Sequence, residues 1–164
     1  MIDIKINGLS ELQRYLDQVP VKIERNVLRS GLRAGMKVIL PEARRNVNSV
    51  SGLLAAGLKI GTGSRGGKVF AYLRARGKHG YVAKWVEFGT KAHRISAKDK
   101  GWLSFGGIFA KSVQHPGARP KPFMRPALDA KAGAAVIAAA EQMRRVLSTK
   151  HGLDTADLSF DREE

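Results

Sequence analysis

Cysteine is absent from the 164 residues, which removes disulfide staples, thiolate zinc sites, iron–sulfur ligation and cysteine nucleophiles from consideration. Carboxylates are scarce, with 14 Asp and Glu against 29 Lys and Arg. The convergent acids that hydrolytic chemistry needs are correspondingly hard to assemble. No apolar run approaches the roughly 18 residues a membrane span requires. Nor does Met1-Ile2-Asp3-Ile4-Lys5 put a basic start ahead of an apolar stretch, so synthesis in a reducing cytosol is expected. Aromatic residues make up only 7% of the chain, but 43% is hydrophobic, enough at this length for one domain with a real core.

What is abundant is positive charge, a formal +15. Residues 1–64 hold 10 basic and 5 acidic groups, 65–131 hold 15 and 3, and 132–164 hold 4 and 6. The middle segment is therefore a basic block with few internal carboxylates, and its self-repulsion implies a polyanion or an acidic partner surface. Solubility alone is the simpler explanation, but the excess is large for it.

Along the chain, Ile2, Ile4 and Ile6 alternate with Asp3 and Lys5, the period of a half-buried strand, and Asn7-Gly8 supplies a turn. Ser10 with Gln13 forms a capping-box pattern that opens a short helix with Leu12, Leu16 and Val19 on one face, ended by Pro20. From Val21 to Val47, Leu28, Leu32, Met36, Ile39, Ala43 and Val47 recur at helical spacing, and Pro41 should kink this long helix. On another face Arg25, Arg29, Arg33 and Lys37 recur every four residues. That like-charge row is either a solvated face or a stripe turned toward phosphate or an acidic neighbour.

A β region follows. Gly57 to Ile60 and Lys68 to Arg74 read as strands around the glycine-rich 61–67, Tyr81 to Phe88 reads as a short helix ended by Gly89, and 101–114 reads as a hairpin turning at Gly106-Gly107. In that hairpin Trp102 and Phe105 are expected on one side, and Ile108, Phe109 and Val113 on the other. Pro126 suits the first turn of a last helix whose face is Leu128, Ala132, Ala135, Ala139, Met143 and Val146. Its alanines allow close approach of a neighbour. Beyond it, residues 150–164 are polar and acidic and read as a mobile tail to a single domain spanning 1–149. The fold class expected is α+β: a small antiparallel sheet from 57–75 and 101–114, joined by strand 2–6, packed on one face by the long kinked helix and the alanine-rich helix.

Several motifs fail on context. Gly61, Gly63 and Gly66 spell G-x-G-x-x-G with Glu87 about 20 residues on, but Val69 to Leu73 continue as an alternating strand where a dinucleotide site needs a helix. A hairpin turn explains these glycines better. His79, His93, His115 and His151 form no i, i+4 pair, and Glu87, Asp99 and Asp129 stand in separate elements, so no catalytic group and no metal site is assigned. Aromatic and basic residues interleave at Phe70, Tyr72, Arg74 and Arg76 and at Tyr81, Lys84 and Trp85, which suits either stacking on nucleic acid or ordinary core packing. No sequence-reading nucleic-acid signature is present.

Two segments carry a resemblance. Trp85-Val86-Glu87-Phe88-Gly89-Thr90-Lys91-Ala92-His93-Arg94-Ile95 is followed by His115-Pro116-Gly117-Ala118-Arg119-Pro120-Lys121-Pro122-Phe123-Met124-Arg125-Pro126-Ala127-Leu128. With the N-terminal Gly8, Leu9, Glu11 and Leu12, the basic helix ending in Glu42-Ala43-Arg44-Arg45, and Ser51, Gly52 and Leu54, they resemble the small neck and tail-completion proteins of long-tailed phages and prophages. These are also called minor tail components or head-tail joining proteins. The likeness covers roughly residues 3 to 147; shorter members lack the 101–114 hairpin, and the acidic tail lies outside it.

The resemblance implies a non-enzymatic virion protein without cofactor, assembled in the bacterial cytoplasm. It would form a homo-oligomeric ring, six-fold in symmetry, joining a connector or head-closure protein to a tail-tube or tail-terminator protein, with transient contact to genomic DNA in the lumen and none to membrane. Its candidate interface is Glu87, Phe88, Gly89, Thr90, His93, His115, Pro116, Gly117, Pro120, Pro122, Phe123, Arg125 and Pro126. The prolines would stiffen an exposed segment before docking. Phe123 is either an interface anchor or an intramolecular staple of the last helix. The alternatives are a basic protein binding nucleic acid nonspecifically, and a nuclease using His79, His93 or His115 with Glu87.

Overall fold

The structure, a computed structural model, describes residues 5–47, 52–77, 80–98 and 101–162. It is α+β, with two long helices forming the spine. Helix α1 is Leu9–Asp17, α2 is Val21–Asn46, and α3 is Gly52–Gly57; strands β1 (Leu58–Arg65) and β2 (Lys68–Ala75) follow. Then come α4 (Val82–Phe88), β3 (His93–Ser96), β4 (Leu103–Phe105), β5 (Ile108–Ala110), β6 (Ser112–His115) and α5 (Met124–His151).

The strands form three separate antiparallel ladders, β1-β2, β3-β6 and β4-β5, where one sheet was expected. The segment just before the 101–114 hairpin pairs with its far end, His93 opposite His115, so β6 takes its partner from β3 and not from β1-β2. Of the expected strand 2–6, residues 2–4 lie outside the described residues, and Ile6 bridges Arg162 in the C-terminal segment.

Helix α1 starts without the expected capping box. Gly8, with φ of 82°, takes the cap position without a side-chain hydrogen bond, while the Ser10 hydroxyl donates to Glu11 and the Gln13 amide to Asp17. A glycine already turned into the left-handed region sets the entry, so Ser10 falls inside the helix.

Helix α2 runs through Pro41, and its buried line is Val27, Gly31, Gly35, Ile39, Ala43 and Val47. The expected apolar face lay one position away at its start: Leu28, Leu32 and Met36 are only half-buried. The displacement has a steric cause. A Cβ on Gly31 would stand 2.7 Å from the Ala139 carbonyl oxygen, and one on Gly35 2.6 Å from that of Ala135. Glycine on α2 and alanine on α5 let the two backbones nearly touch, and the larger residues flank the seam. On α5 the line is Ala127, Ala135, Ala139, Ala140, Met143, Val146 and Leu147. Leu128, expected on the buried face, is exposed, with Ala127 in its place.

The core has two centres along this antiparallel pair. At one end Leu12 and Leu16 of α1 and Val27 meet Met143 and Leu147. At the other, Ile39, Ala43 and Val47 meet Leu54, Leu58, Ala83, Phe123 and Ala127. The chain after α5, expected as a mobile acidic tail, packs Leu158 into the first centre with Leu153 and Phe160 beside it. Asn7 N–H donates to the Asp161 carbonyl at 3.0 Å, and the Arg144 guanidinium to that of Leu158 at 3.1 Å. Tyr15 donates its hydroxyl to the Asp157 carboxylate at 2.9 Å, and that bond raises the phenol's pKa above its ordinary value. The raised value means this tether is complete below the free phenol's titration and is lost as pH rises through the folded one.

Candidate subunit interface

The two resembling segments meet in space. Glu87 stands near the end of α4, and its carboxylate reaches the start of α5, where Phe123 caps the helix without any side-chain bond of its own. Phe123 and Met124 N–H donate to Glu87 Oε2 at 2.7 and 3.0 Å, and Arg125 N–H to Oε1 at 3.2 Å. Helix first turns leave such amides unpaired and carry partial positive charge. A carboxylate from an element 36 residues earlier therefore satisfies three of them at once.

The chain then turns at Gly89 (φ 70°), and a side chain there would press within 2.8 Å of the Pro120 nitrogen. Thr90 and Ala118 exchange backbone hydrogen bonds of 2.9 and 3.0 Å, and Lys121 N–H donates to the Val86 carbonyl at 2.7 Å. Gly117, also at positive φ, lets the return strand pass against Lys91 and Ala92. The two segments thus form one clasp, closed by Glu87, Gly89, Thr90 and Gly117.

Phe123 is 0% exposed and sits in the second core centre, as the intramolecular staple. It leaves no area for a neighbour to cover, so the interface-anchor alternative is corrected. Phe88, by contrast, is 72% exposed, and Pro116, Pro120, Pro122, Arg125 and Pro126 also face solvent. The outward half of the candidate set is therefore this proline edge with Phe88.

His93 and His115 face each other across the β3-β6 ladder, ring centroids 5.1 Å apart. His93 Nδ1 lies 2.8 Å from the Lys91 carbonyl, and His115 Nδ1 accepts the Gly117 N–H at 3.0 Å. Both rings serve the turn. Among the described residues no three His, Cys, Asp or Glu side chains converge to hold a metal, and Glu87 spends its oxygens on backbone; His79 and Asp99 lie outside those residues. No helix among the described residues is long and apolar enough to cross a membrane.

Sequence reasoning missed how much apolar surface stays exposed between residues 81 and 109. Tyr81 and Trp85 pack edge to face with centroids 5.1 Å apart, yet both are exposed. Trp85, Ala92, Ile95 and Ala118 line a shallow groove beside the two histidines. In the β4-β5 hairpin, Phe105 pairs with Ile108 and Ser104 with Phe109, which puts Phe105 and Ile108 on one face, contrary to the expected division. Trp102 is 62% and Phe109 66% exposed. The signal was available in length: strands of three residues cannot bury four large side chains against each other.

The basic row Arg25, Arg29, Arg33 and Lys37 is exposed throughout, and Arg29 donates to Ser64 Oγ at 2.9 Å near the tip of β1.

No curated protein and no solved structure matches the chain. The family match takes in α1 from its second residue, α2, α3, β1-β2 and α4 and stops at Gly89, leaving the second segment of the clasp outside it. Residues 10–89 match the family model HK97-gp10-like, described as "Bacteriophage HK97-gp10, putative tail-component", which bears out the resemblance to the neck and tail proteins of tailed phages.

Proposed function

We propose that this protein is a non-enzymatic structural component of a tailed-phage virion, a ring of identical subunits at the head-tail junction or tail end. The observation that carries the reading is the tail-component match over residues 10–89. The exposed apolar surface supports it: Tyr81, Trp85, Phe88, Trp102, Phe105, Ile108 and Phe109 are all exposed within thirty residues of sequence, and large exposed apolar side chains are the material of subunit contacts. The proline edge beside Phe88 is stiff before docking, which lowers the ordering entropy of assembly. A heterologous contact between the β4-β5 hairpin of one copy and the clasp of the next closes into a ring when the rotation permits. The ring then stacks between connector and tail tube.

Negative-stain imaging and mass photometry of the full chain, alone and with the tail-tube protein of the same phage, test this. Rings are expected, and deletion of the gene is expected to leave heads and tails unjoined. A strict monomer under every condition, with normal virions on deletion, overturns it.

A further inference from the structure

The β1-β2 ladder has two unlike faces. One carries Leu58, Ile60, Leu73 and Ala75, and through Leu58, Leu73 and Ala75 it rests on the second core centre. The other is fixed by register as four opposed pairs: Lys59 with Arg74, Gly61 with Tyr72, Gly63 with Phe70, and Arg65 with Lys68. Four cations, two aromatic rings and two glycines thus share a face on which no carboxylate stands.

Folding does not account for the charged pairs. Residues directly opposite on an antiparallel pair have Cβ atoms about 5 Å apart, where like charges are destabilising. Here both charged pairs are cation against cation. The ion pairs among the described residues, Arg14–Glu11, Arg45–Glu42 and Lys131–Glu42, all join helical residues, so none of them relieves the ladder. The glycines make room for the rings opposite them: a Cβ on Gly63 would sit 2.6 Å from the Phe70 ring, and one on Gly61 would collide with Tyr72. Both rings therefore lie down over the opposite strand, their centroids 6.1 Å apart, with the Arg74 guanidinium 5.4 Å from the Tyr72 centroid. The result is a low, cationic, aromatic floor.

We propose that this outer face of β1-β2 is a nucleic-acid surface that takes the phosphodiester backbone without reading sequence. At about 3.4 Å per residue the two cation pairs stand roughly 20 Å apart, a length over which each strand of duplex DNA carries about six phosphates. Arg29 bonds Ser64 on the opposite, α2-facing side of the hairpin, so the outer face stands on its own four cations. A polyanion with evenly repeated charge suits a surface whose cations are spaced and whose centre is flat. The proposal does not depend on ring formation.

The test uses the full chain and fluorescence anisotropy with a labelled 40-base-pair duplex and a 40-nucleotide single strand, at 50 to 300 mM salt. Four phosphate contacts predict a log–log salt slope near −3.6 on duplex, each contact contributing about −0.9. The Lys59→Glu, Lys68→Glu double variant turns both like-charge pairs into opposite-charge pairs. Its melting temperature is expected to hold or rise, while affinity falls about tenfold or more and the slope shrinks by about 2. Unchanged affinity in a folded variant overturns the proposal. So does failure of the wild type to bind either probe at 50 mM salt; if the variant then also loses a salt-sensitive contact with the tail-tube protein, the face belongs to an acidic protein.

Discussion

Two hairpins in this molecule turn on the same chemistry and end differently. Gly66-Gly67 and Gly106-Gly107 both place consecutive glycines at positive φ, 56° and 78° in one and 56° and 82° in the other. Such turns match the right-handed twist of the strands they join. Yet β1-β2 runs eight residues a side and seats a whole face on α2, whereas β4-β5 runs three and keeps Phe105, Ile108 and Phe109 in solvent. A turn therefore decides that a hairpin forms, and a partner face decides what it is worth. The first hairpin found its partner inside the subunit and put charge outside. The second carries its apolar residues outward, as an arm does that meets its partner on another molecule.

The comparison is broken most forcefully at the root of the first hairpin. Leu58 is 0% exposed at the base of β1, packed in the second core centre. Leu58→Ala is expected to lower stability by about 2 to 5 kcal/mol, measured by denaturant unfolding, through lost burial and the cavity left behind. Phe109→Ala, at a side chain of comparable bulk in the arm, should stay within about 0.5 kcal/mol of wild type. If the two changes destabilise the monomer equally, the arm is part of the core and the contrast is wrong.

The arm's own attachment is polar, which gives the next effect. Glu87 holds the start of α5 with three charge-assisted hydrogen bonds, and α5 fixes the return segment through which β6 leaves. Glu87→Gln keeps the shape but removes the charge and replaces one acceptor oxygen by a donor. A loss of about 1 to 3 kcal/mol is expected, with faster amide exchange at Phe123, Met124 and Arg125. Unchanged exchange at those amides would show that the clasp holds without the carboxylate.

How much of this could be read from the chain follows the same division between local and distant causes. The helices were legible because 3.6-residue periodicity and proline act within a few positions, and the Gly106-Gly107 turn because positive φ is a local demand; the turn expected over 61–67 shrinks to Gly66-Gly67, because Gly61 and Gly63 are ladder residues of β1 opposite Tyr72 and Phe70. The seam of α2 was not, since Gly31 and Gly35 have no side chain to register as apolar, and only the approach of Ala135 and Ala139 makes them core. The polar composition after residue 150 hid Leu153, Leu158 and Phe160, whose burial depends on α1. The two resembling segments were visible as motifs. That they form one clasp was not, because the Glu87 carboxylate and the α5 amides meet only in the fold. Ladder membership was missed for the same reason, since pairing His93 with His115 spans 22 residues.

The smallest expected effect is also the sharpest test of the contrast, because it applies one change to both turns. Gly67→Ala and Gly107→Ala each force a Cβ into the left-handed region, at a cost of about 1 to 2 kcal/mol, and neither site has a neighbour within 4 Å to add a clash. The local penalty is thus matched. In β1-β2 the ladder is coupled to the α2 core, so Gly67→Ala should lower the midpoint of global unfolding by that amount. In β4-β5 the ladder is short and packs chiefly on itself, so Gly107→Ala should leave the global midpoint unchanged and instead speed amide exchange across the Leu103–Ala110 pairing. The proposed ring predicts that the two converge on assembly, because an arm seated on a neighbour would acquire the coupling that β1-β2 has already. Equal loss of global stability in the isolated subunit would mean the arm folds as part of the monomer core, and its exposed aromatics would need a different explanation.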